Sequence, residues 1–329
     1  MENLGLLTII VPCYNEEAVL PETVKELGVI LQKLISNGEI AATSKLLFVN
    51  DGSHDKTWQL ITNYEKKYDF VTGIKFSRNF GHQNALLAGM TTAVEYSDMM
   101  ITIDADLQDD VKAIYEMVAK YNQGYDVVYG VRSKRQTDTF FKRQSALAFY
   151  SLMKHMGVEM VPNSADYRLM SKRAVQALLK FKERNLFLRG MVPLVGYPSA
   201  KIYYERKERF AGESKYPLSK MLKFAFDGIS SFSTVPIRMI MSLGLIVILI
   251  SIGLLVFTFI QWLRGVVISG WSSLMISIWF LGGVQLVCVS VIGEYVGKIF
   301  KETKQRPRFT IEEDNYTPKF KENEQKFRD

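Results

Sequence analysis

Asp104 and Asp106 stand one residue apart in the run Asp104-Ala105-Asp106-Leu107-Gln108, directly after the apolar stretch Met99–Ile103. Two carboxylates this close repel each other unless a cation or a hydrogen-bond network compensates. Mg²⁺ or Mn²⁺ meets that need with a few carboxylate oxygens and leaves coordination positions open for phosphates. The competing explanation is a solvated acidic turn in which Asp109 and Asp110 cap the next helix. Placement at the end of an apolar strand favours the metal. Two other polar clusters come earlier, Val11-Pro12-Cys13-Tyr14-Asn15-Glu16-Glu17 and Asn50-Asp51-Gly52-Ser53-His54-Asp55-Lys56-Thr57. Between the second cluster and the acidic run lies Phe76-Ser77-Arg78-Asn79-Phe80-Gly81-His82-Gln83, where Gly81 lets the backbone turn sharply. His82 reads as a structural hydrogen-bonder rather than a base, and His54 and His155 are assigned no role.

Each cluster follows an apolar run of strand length. Strands are expected at Leu6–Val11, Lys45–Val49, Val71–Phe76, Met99–Ile103 and Asp126–Tyr129, and helices at Glu16–Leu34, Asp55–Tyr68, Asn84–Glu95 and Val111–Asn122. This alternation predicts an α/β fold with a parallel, doubly wound sheet. Such sheets bind ligands at the carboxyl ends of their strands, where the polar clusters fall. Beyond Gly130 the pattern loosens. Phe140–Met156 fits an amphipathic helix carrying Lys142, Arg143 and Lys154. Leu218, Leu222, Ala225, Ile229 and Phe232 recur at helical spacing and predict a helix lying in a membrane interface.

The chain has 329 residues, of which 48% are hydrophobic, and these are unevenly distributed. Met239–Leu263 and Val266–Gly293 contain no charged residue, and each is long enough to cross a hydrocarbon core. The net charge of +7 gathers near these segments, at Lys201–Arg209, Lys215, Lys220, Lys223 and Lys298–Arg308, whereas the connection between them carries only Arg264. The positive-inside rule then puts both termini and the polar part of the chain in the cytoplasm, at the plasma membrane. Basic residues beside spans point to anionic lipid and phosphate, not to nucleic acid. Cys13 and Cys288 are poorly placed to pair, which agrees with a cytoplasmic setting. No signal peptide is expected, and the tail after Arg306 reads as charged and mobile.

Taken in order and at their spacing, the three clusters resemble family 2 glycosyltransferases of the GT-A fold. The resemblance implies that Pro12, Tyr14, Glu16 and Asp51 line a nucleotide pocket, with Asp51 near the base and Arg78 contacting the donor. It further implies that Asp104 faces the donor while Asp104, Asp106 and Gln108 hold Mg²⁺ or Mn²⁺ on the diphosphate. Asn50, where the family often has Asp, and Asp109-Asp110, where prolines are common, depart from the pattern. Ala165-Asp166-Tyr167-Arg168-Leu169 and Arg209-Phe210-Ala211-Gly212-Glu213-Ser214-Lys215-Tyr216 resemble stretches of dolichol-phosphate mannose synthases and bacterial two-span polyprenyl-phosphate glycosyltransferases. The Gln-x-x-Arg-Trp motif of the processive synthases is absent. The implied organisation is a GT-A domain at 1–214, an interface helix region at 215–236, two spans within 237–298 and a cytoplasmic tail at 299–329.

The function this implies is metal-dependent, inverting transfer of glucose or N-acetylglucosamine from a UDP-sugar to undecaprenyl phosphate, supplying cell-envelope glycosylation. A phosphate monoester has a second pKa near about 6 and is already nucleophilic at cytoplasmic pH. It needs a cationic cradle more than a base, for which Arg132 and Arg143 are candidates, with Arg168 nearby in sequence to Asp166 and Arg209 and Lys215 on a closing loop. Asp166 would orient the acceptor or the sugar. In family relatives the spans can mediate tetramers. Three other readings stay open: transfer to a lipid hydroxyl such as diacylglycerol, a non-catalytic membrane partner that kept the fold, and a nucleotidyltransferase.

Overall fold

The computed structural model describes residues 4–133, 161–184, 186–205, 235–265 and 270–320. They form two compact units. One is built from 4–133, 161–184, 186–205 and 306–320, the other from 235–265 and 270–305.

The larger unit is organised around β1 (Leu7–Cys13) and β2 (Lys45–Asn50), every residue of which is buried. Strands covered on both faces read as continuous apolar runs, which is why these were legible without alternation. Helix α1 (Leu20–Ser36) connects them. It begins with a proline in its first turn and buries Leu20, Val24, Leu27, Leu31 and Leu34 at helical spacing. Next come α2 (Thr57–Lys67), β3 (Val71–Phe76), α3 (His82–Ala93), β4 (Met99–Thr102), α4 (Ala113–Asn122) and β5 (Val127–Arg132). After the undescribed 134–160 come β6 (Ser164–Ser171), α5 (Lys172–Leu179), α6 (Leu188–Leu194) and β7 (Ser199–Tyr204).

The eight strands form one sheet in the order β7-β5-β6-β4-β1-β2-β3-β8, where β8 is Ile311–Asp314. The block β4-β1-β2-β3 is parallel, as expected. The sheet as a whole is mixed, because β6 runs antiparallel to both β4 and β5, and β8 runs antiparallel to β3. From β1 the chain winds outward through β2 and β3, then returns to place β4 on the other side of β1. This reversal opens a crevice at the carboxyl ends of β1 and β4, the position where open α/β sheets bind ligands.

The tail departs from the sequence expectation. Instead of trailing away charged and mobile, residues 311–320 close the β3 edge. Main-chain groups of β3 that would stand unpaired are met by β8. The charges of β8 are its outward residues, and Glu312 and Glu313 pair with Lys75 at 3.0 and 3.1 Å. Behind them Tyr316 is fully buried, its hydroxyl within 2.8 Å of the Thr8 hydroxyl and 3.1 Å of that of Ser97.

The second unit contains α7 (Val235–Leu263) and α8 (Trp271–Thr303). Val235–Gln261 and Phe280–Thr303 are long and apolar enough to cross a membrane, with mean hydropathies of 3.0 and 1.5, and neither stretch is buried within the protein. A long apolar helix whose surface is left unburied suits a lipid surrounding. The second helix starts five residues later than the uncharged stretch at Val266 and runs on through Glu294 and Lys298. The expected interface helix at 215–236, in its portion up to 234, and the Phe140–Met156 helix lie outside the described residues.

Candidate active site

The loops after β1 and β2 are laced together. Asn15, in the left-handed region at φ 55°, accepts from the His54 amide at 2.9 Å, while its own amide donates to the Ser53 hydroxyl at 3.0 Å. The Glu16 amide donates to Thr57 Oγ1 at 2.9 Å, and Glu17 accepts from the Lys56 amide at 3.0 Å. Pro12 is buried within β1 opposite Val49. Tyr14 is exposed and meets His54 edge-on, with ring centres 6.5 Å apart.

Asp51 acts as a latch. One carboxylate oxygen accepts from the Phe80 amide at 2.6 Å and the other from the Gly81 amide at 2.9 Å. Burial pushes its pKa up in spite of these two bonds. Its neighbour Gly52 sits at φ +63°, and a Cβ there would lie 2.4 Å from the Arg78 carbonyl carbon and 2.5 Å from the Asn79 nitrogen. Glycine therefore fits for two reasons, backbone conformation and close approach. The latched loop carries Arg78, whose guanidinium lies 3.9 Å over the Phe80 ring, and delivers His82 to the first turn of α3.

Asp104 follows β4 into the crevice. Its Oδ1 is buried without a hydrogen-bond partner and lies 3.4 Å from His82 Nε2, too far for a good bond. Burial raises its pKa, the negative charges of Asp166, Asp109 and Asp106 add to the effect, and His82 opposes it. Asp106 Oδ1 accepts from the Gln108 amide at 3.2 Å across Leu107, which takes φ 54°, a conformation disfavoured for a leucine. Gln108 itself is buried. An orphaned carboxylate oxygen amid acidic neighbours is the environment a divalent cation suits. Among the described residues no three His, Cys, Asp or Glu side chains gather as a cage. The donor set thus fits a hard cation that draws its remaining oxygens from phosphate and water.

Asp109 is not a solvated cap. Its side chain is 1% exposed, accepts from Arg132 Nε at 3.1 Å and Nη2 at 3.3 Å, and accepts from the Tyr204 hydroxyl at 2.6 Å. Arg132, expected as an open phosphate cradle, is thus already partnered. Burial disfavours its charge, but Asp109 outweighs this and raises its pKa.

Asp166 and Arg168 alternate on β6 so that they share one face. Arg168 Nη2 donates to Asp166 Oδ1 at 2.5 Å, and Arg189 Nη2, from α6, reaches Asp166 Oδ2 at 3.2 Å. His82 Nε2 lies 3.6 Å from the same Oδ2. Burial alone would raise the Asp166 pKa; Arg189, His82 and Arg168 together hold it far below the carboxylate range. Arg189 was not singled out in the sequence. It is a lone arginine in Leu186-Phe187-Leu188-Arg189-Gly190, with no spacing to mark it. Arg143, Arg209 and Lys215 lie outside the described residues.

A family model described as glycosyl transferase family 2 matches residues 8–179, more than half of the chain and the stretch that holds every cluster just described up to Arg168. The chain belongs to glycosyl transferase family 2. Its relatives include the uncharacterized glycosyltransferase YkoT of Bacillus subtilis (strain 168), 52% identical over 311 residues that cover 94% of this chain and 92% of that protein. The bactoprenol glucosyl transferase of Shigella phage SfX is 37% identical over 315 residues, 93% of this chain and 98% of that one. A prophage bactoprenol glucosyl transferase homolog of Escherichia coli (strain K12) is 36% identical with the same coverage. This glycosyltransferase therefore aligns with them along nearly its whole length, through the larger unit and into the apolar helices.

Proposed function

We propose that this glycosyltransferase moves a hexose, glucose or N-acetylglucosamine, from a UDP-sugar to a polyprenyl phosphate, undecaprenyl phosphate in bacteria, with inversion at the anomeric carbon. The observation that carries the choice of acceptor is the saturation of Asp166 by Arg168 and Arg189. A carboxylate held so far below its ordinary pKa has little affinity for a proton and makes a poor general base. That suits a nucleophile that arrives deprotonated, as a phosphate monoester does. A lipid hydroxyl would need a base with a higher pKa. The relatives named bactoprenol glucosyl transferases support the same acceptor class.

In the proposed reaction a phosphate oxygen of the lipid attacks the anomeric carbon from the face opposite the diphosphate. The bond from that carbon to the diphosphate oxygen breaks, and its electron pair leaves with UDP. A divalent cation held by Asp104 and Asp106, with Gln108 beside them, would neutralise the charge growing on the departing diphosphate. Asp51 fixes the loop that presents Arg78 to the donor. Asp166, locked by its two arginines, orients groups around Asp104 rather than accepting a proton. Arg132, Arg143, Arg209 and Lys215 remain the candidates for the lipid phosphate.

The two apolar helices would hold the enzyme in the plasma membrane. Strand β8 comes after the second helix and pairs in the same sheet as the strands that precede the first. A chain that leaves a folded unit and rejoins it can cross a bilayer only an even number of times, which favours two spans and a catalytic unit with its tail on one side. The positive-inside rule makes that side cytoplasmic. The test is to supply membranes containing the protein with a panel of labelled UDP- and GDP-sugars and undecaprenyl phosphate, with Mg²⁺ or Mn²⁺ and then with EDTA. An organic-soluble, acid-labile product from one UDP-sugar that disappears with EDTA supports the proposal. A product formed equally well in EDTA removes the metal from it.

A further inference from the structure

Two observations converge on the loop Ser77–Gln83 from opposite sides. Asp51 holds it from the β2 side through the amides of Phe80 and Gly81. From the other side comes the segment beyond the second apolar helix. Phe309 stacks on Phe76 with ring centres 5.4 Å apart and planes 9° from parallel, and Phe76 meets Phe80 edge-on at 5.6 Å. The Ser77 amide donates to the Thr310 carbonyl at 3.2 Å. Arg78 in turn covers the outer face of the Phe80 ring. Phe309, Phe76, Phe80 and Arg78 thus form one continuous series of ring contacts, stacked, edge-on and cation-π in turn, from the tail to a residue of the candidate donor site.

The series is anchored at both ends of the tail segment. Upstream, Arg308 Nη2 donates to the Phe181 carbonyl at 2.6 Å, and Arg184 donates to the Arg306 carbonyl. Downstream, Tyr316 is locked to Thr8 and Ser97, and Phe320 stacks on Tyr96 at 4.9 Å. The register of β3 with β8 shifts between Lys75 and Phe76, where β3 gives way to the loop, and Phe309 and Thr310 fill that point. Phe309 therefore supports the loop where the sheet no longer does.

We infer that the segment 306–316 is a working part of the donor site, with Phe309 as the positioning residue that holds loop 77–83 in the place where Asp51 latches it. The inference rests on the reading of this loop as donor-binding. It gives the tail a role beyond anchorage: residues beyond the membrane helices in sequence would govern affinity for the nucleotide.

The test compares Phe309→Ala and Phe309→Tyr in the full chain in detergent, reading hydrogen exchange of peptides covering Ser77–Gln83 and binding of UDP. Losing one stacked aromatic contact should speed exchange of the Phe80 and Gly81 amides by about tenfold and weaken UDP binding by a similar factor. The β1 and β2 amides should keep their protection, the acceptor KM should stay within experimental error, and Phe309→Tyr should restore both readouts. Unchanged exchange in Phe309→Ala, equal loosening of β1, or a loosened loop with unaltered UDP affinity would each overturn the inference. A wild-type chain that binds UDP but transfers no sugar to a polyprenyl phosphate would strike the proposed acceptor alone, since neither exchange nor UDP binding depends on it.

Discussion

Replacing Asp166 by asparagine should damage stability far more than chemistry. Asp166 and Arg168 form a buried pair, with side chains 9% and 4% exposed. Removing one partner of such a pair costs about 3–5 kcal/mol, because the other charge stays buried without compensation. Arg189 is 32% exposed, so water can replace most of its share and the added cost is about 1 kcal/mol or less. For a folded unit of this size each kcal/mol moves Tm by about 2–4 °C, so a total of about 3–6 kcal/mol for Asp166→Asn should lower Tm by roughly 6–24 °C. The assay is a thermal melt of the full chain in detergent, followed by lipid-linked transfer at a temperature where the variant is still folded. The folded variant should retain transfer to a phosphate acceptor within about tenfold of wild type, whereas removal of a general base typically costs about 10²–10⁴. Because Asp166 is held far below the carboxylate range, wild-type transfer should also show no acidic limb attributable to it between about pH 5 and 8. A variant that melts like wild type yet loses a thousandfold in rate would refute this reasoning and restore Asp166 as a base.

Gly52→Ala should force the Arg78–Asn79 backbone outward by nearly an ångström to reach ordinary contact, breaking the Asp51 latch; donor KM should rise well beyond acceptor KM, and equal KM values for wild type and variant would contradict the latch. Tyr316→Phe removes one hydroxyl from a buried trio in which Thr8 and Ser97 can still bond each other at 2.8 Å, so calorimetry should show a loss of only about 1 kcal/mol. Asp126 is held below the usual carboxylate range mainly by its bond to Arg173, with Ser171 assisting. A depressed carboxylate stabilises the fold above its unfolded pKa, about 3.9, and that contribution fades as pH falls through the lower folded value. The Tm gap between wild type and Asp126→Asn should therefore be full at pH 7 and close below about pH 4.

The parallel half of the sheet was legible because its strands are buried on both faces and appear as unbroken apolar runs. The acidic run Asp104–Gln108 was legible because its members are contiguous. Strand β6 was not, because Ser164-Ala165-Asp166-Tyr167-Arg168-Leu169-Met170-Ser171 buries a carboxylate and a guanidinium that satisfy each other, and such a string reads as a polar loop. Partnerships across long sequence separations were equally hidden. Nothing local marks Asp109 as the ion-pair partner of Arg132 and the acceptor for Tyr204, or Arg189 as the second partner of Asp166. The tail misled for a physical reason. Its charges are paired at the sheet edge, and the residues that hold it down, Phe309, Tyr316 and Phe320, are too few and too widely spaced to stand out among them.

The central claim is that the acceptor is a lipid phosphate, and the direct measurement compares acceptors that differ only there. Labelled transfer from the preferred UDP-sugar would be measured with undecaprenyl phosphate, with undecaprenol, and with diacylglycerol, under the same metal and detergent conditions. The account predicts a mild-acid-labile product with undecaprenyl phosphate alone and none with either alcohol. Comparable or faster transfer to diacylglycerol or undecaprenol would contradict it, because a hydroxyl needs a general base and Asp166 is already held by two arginines.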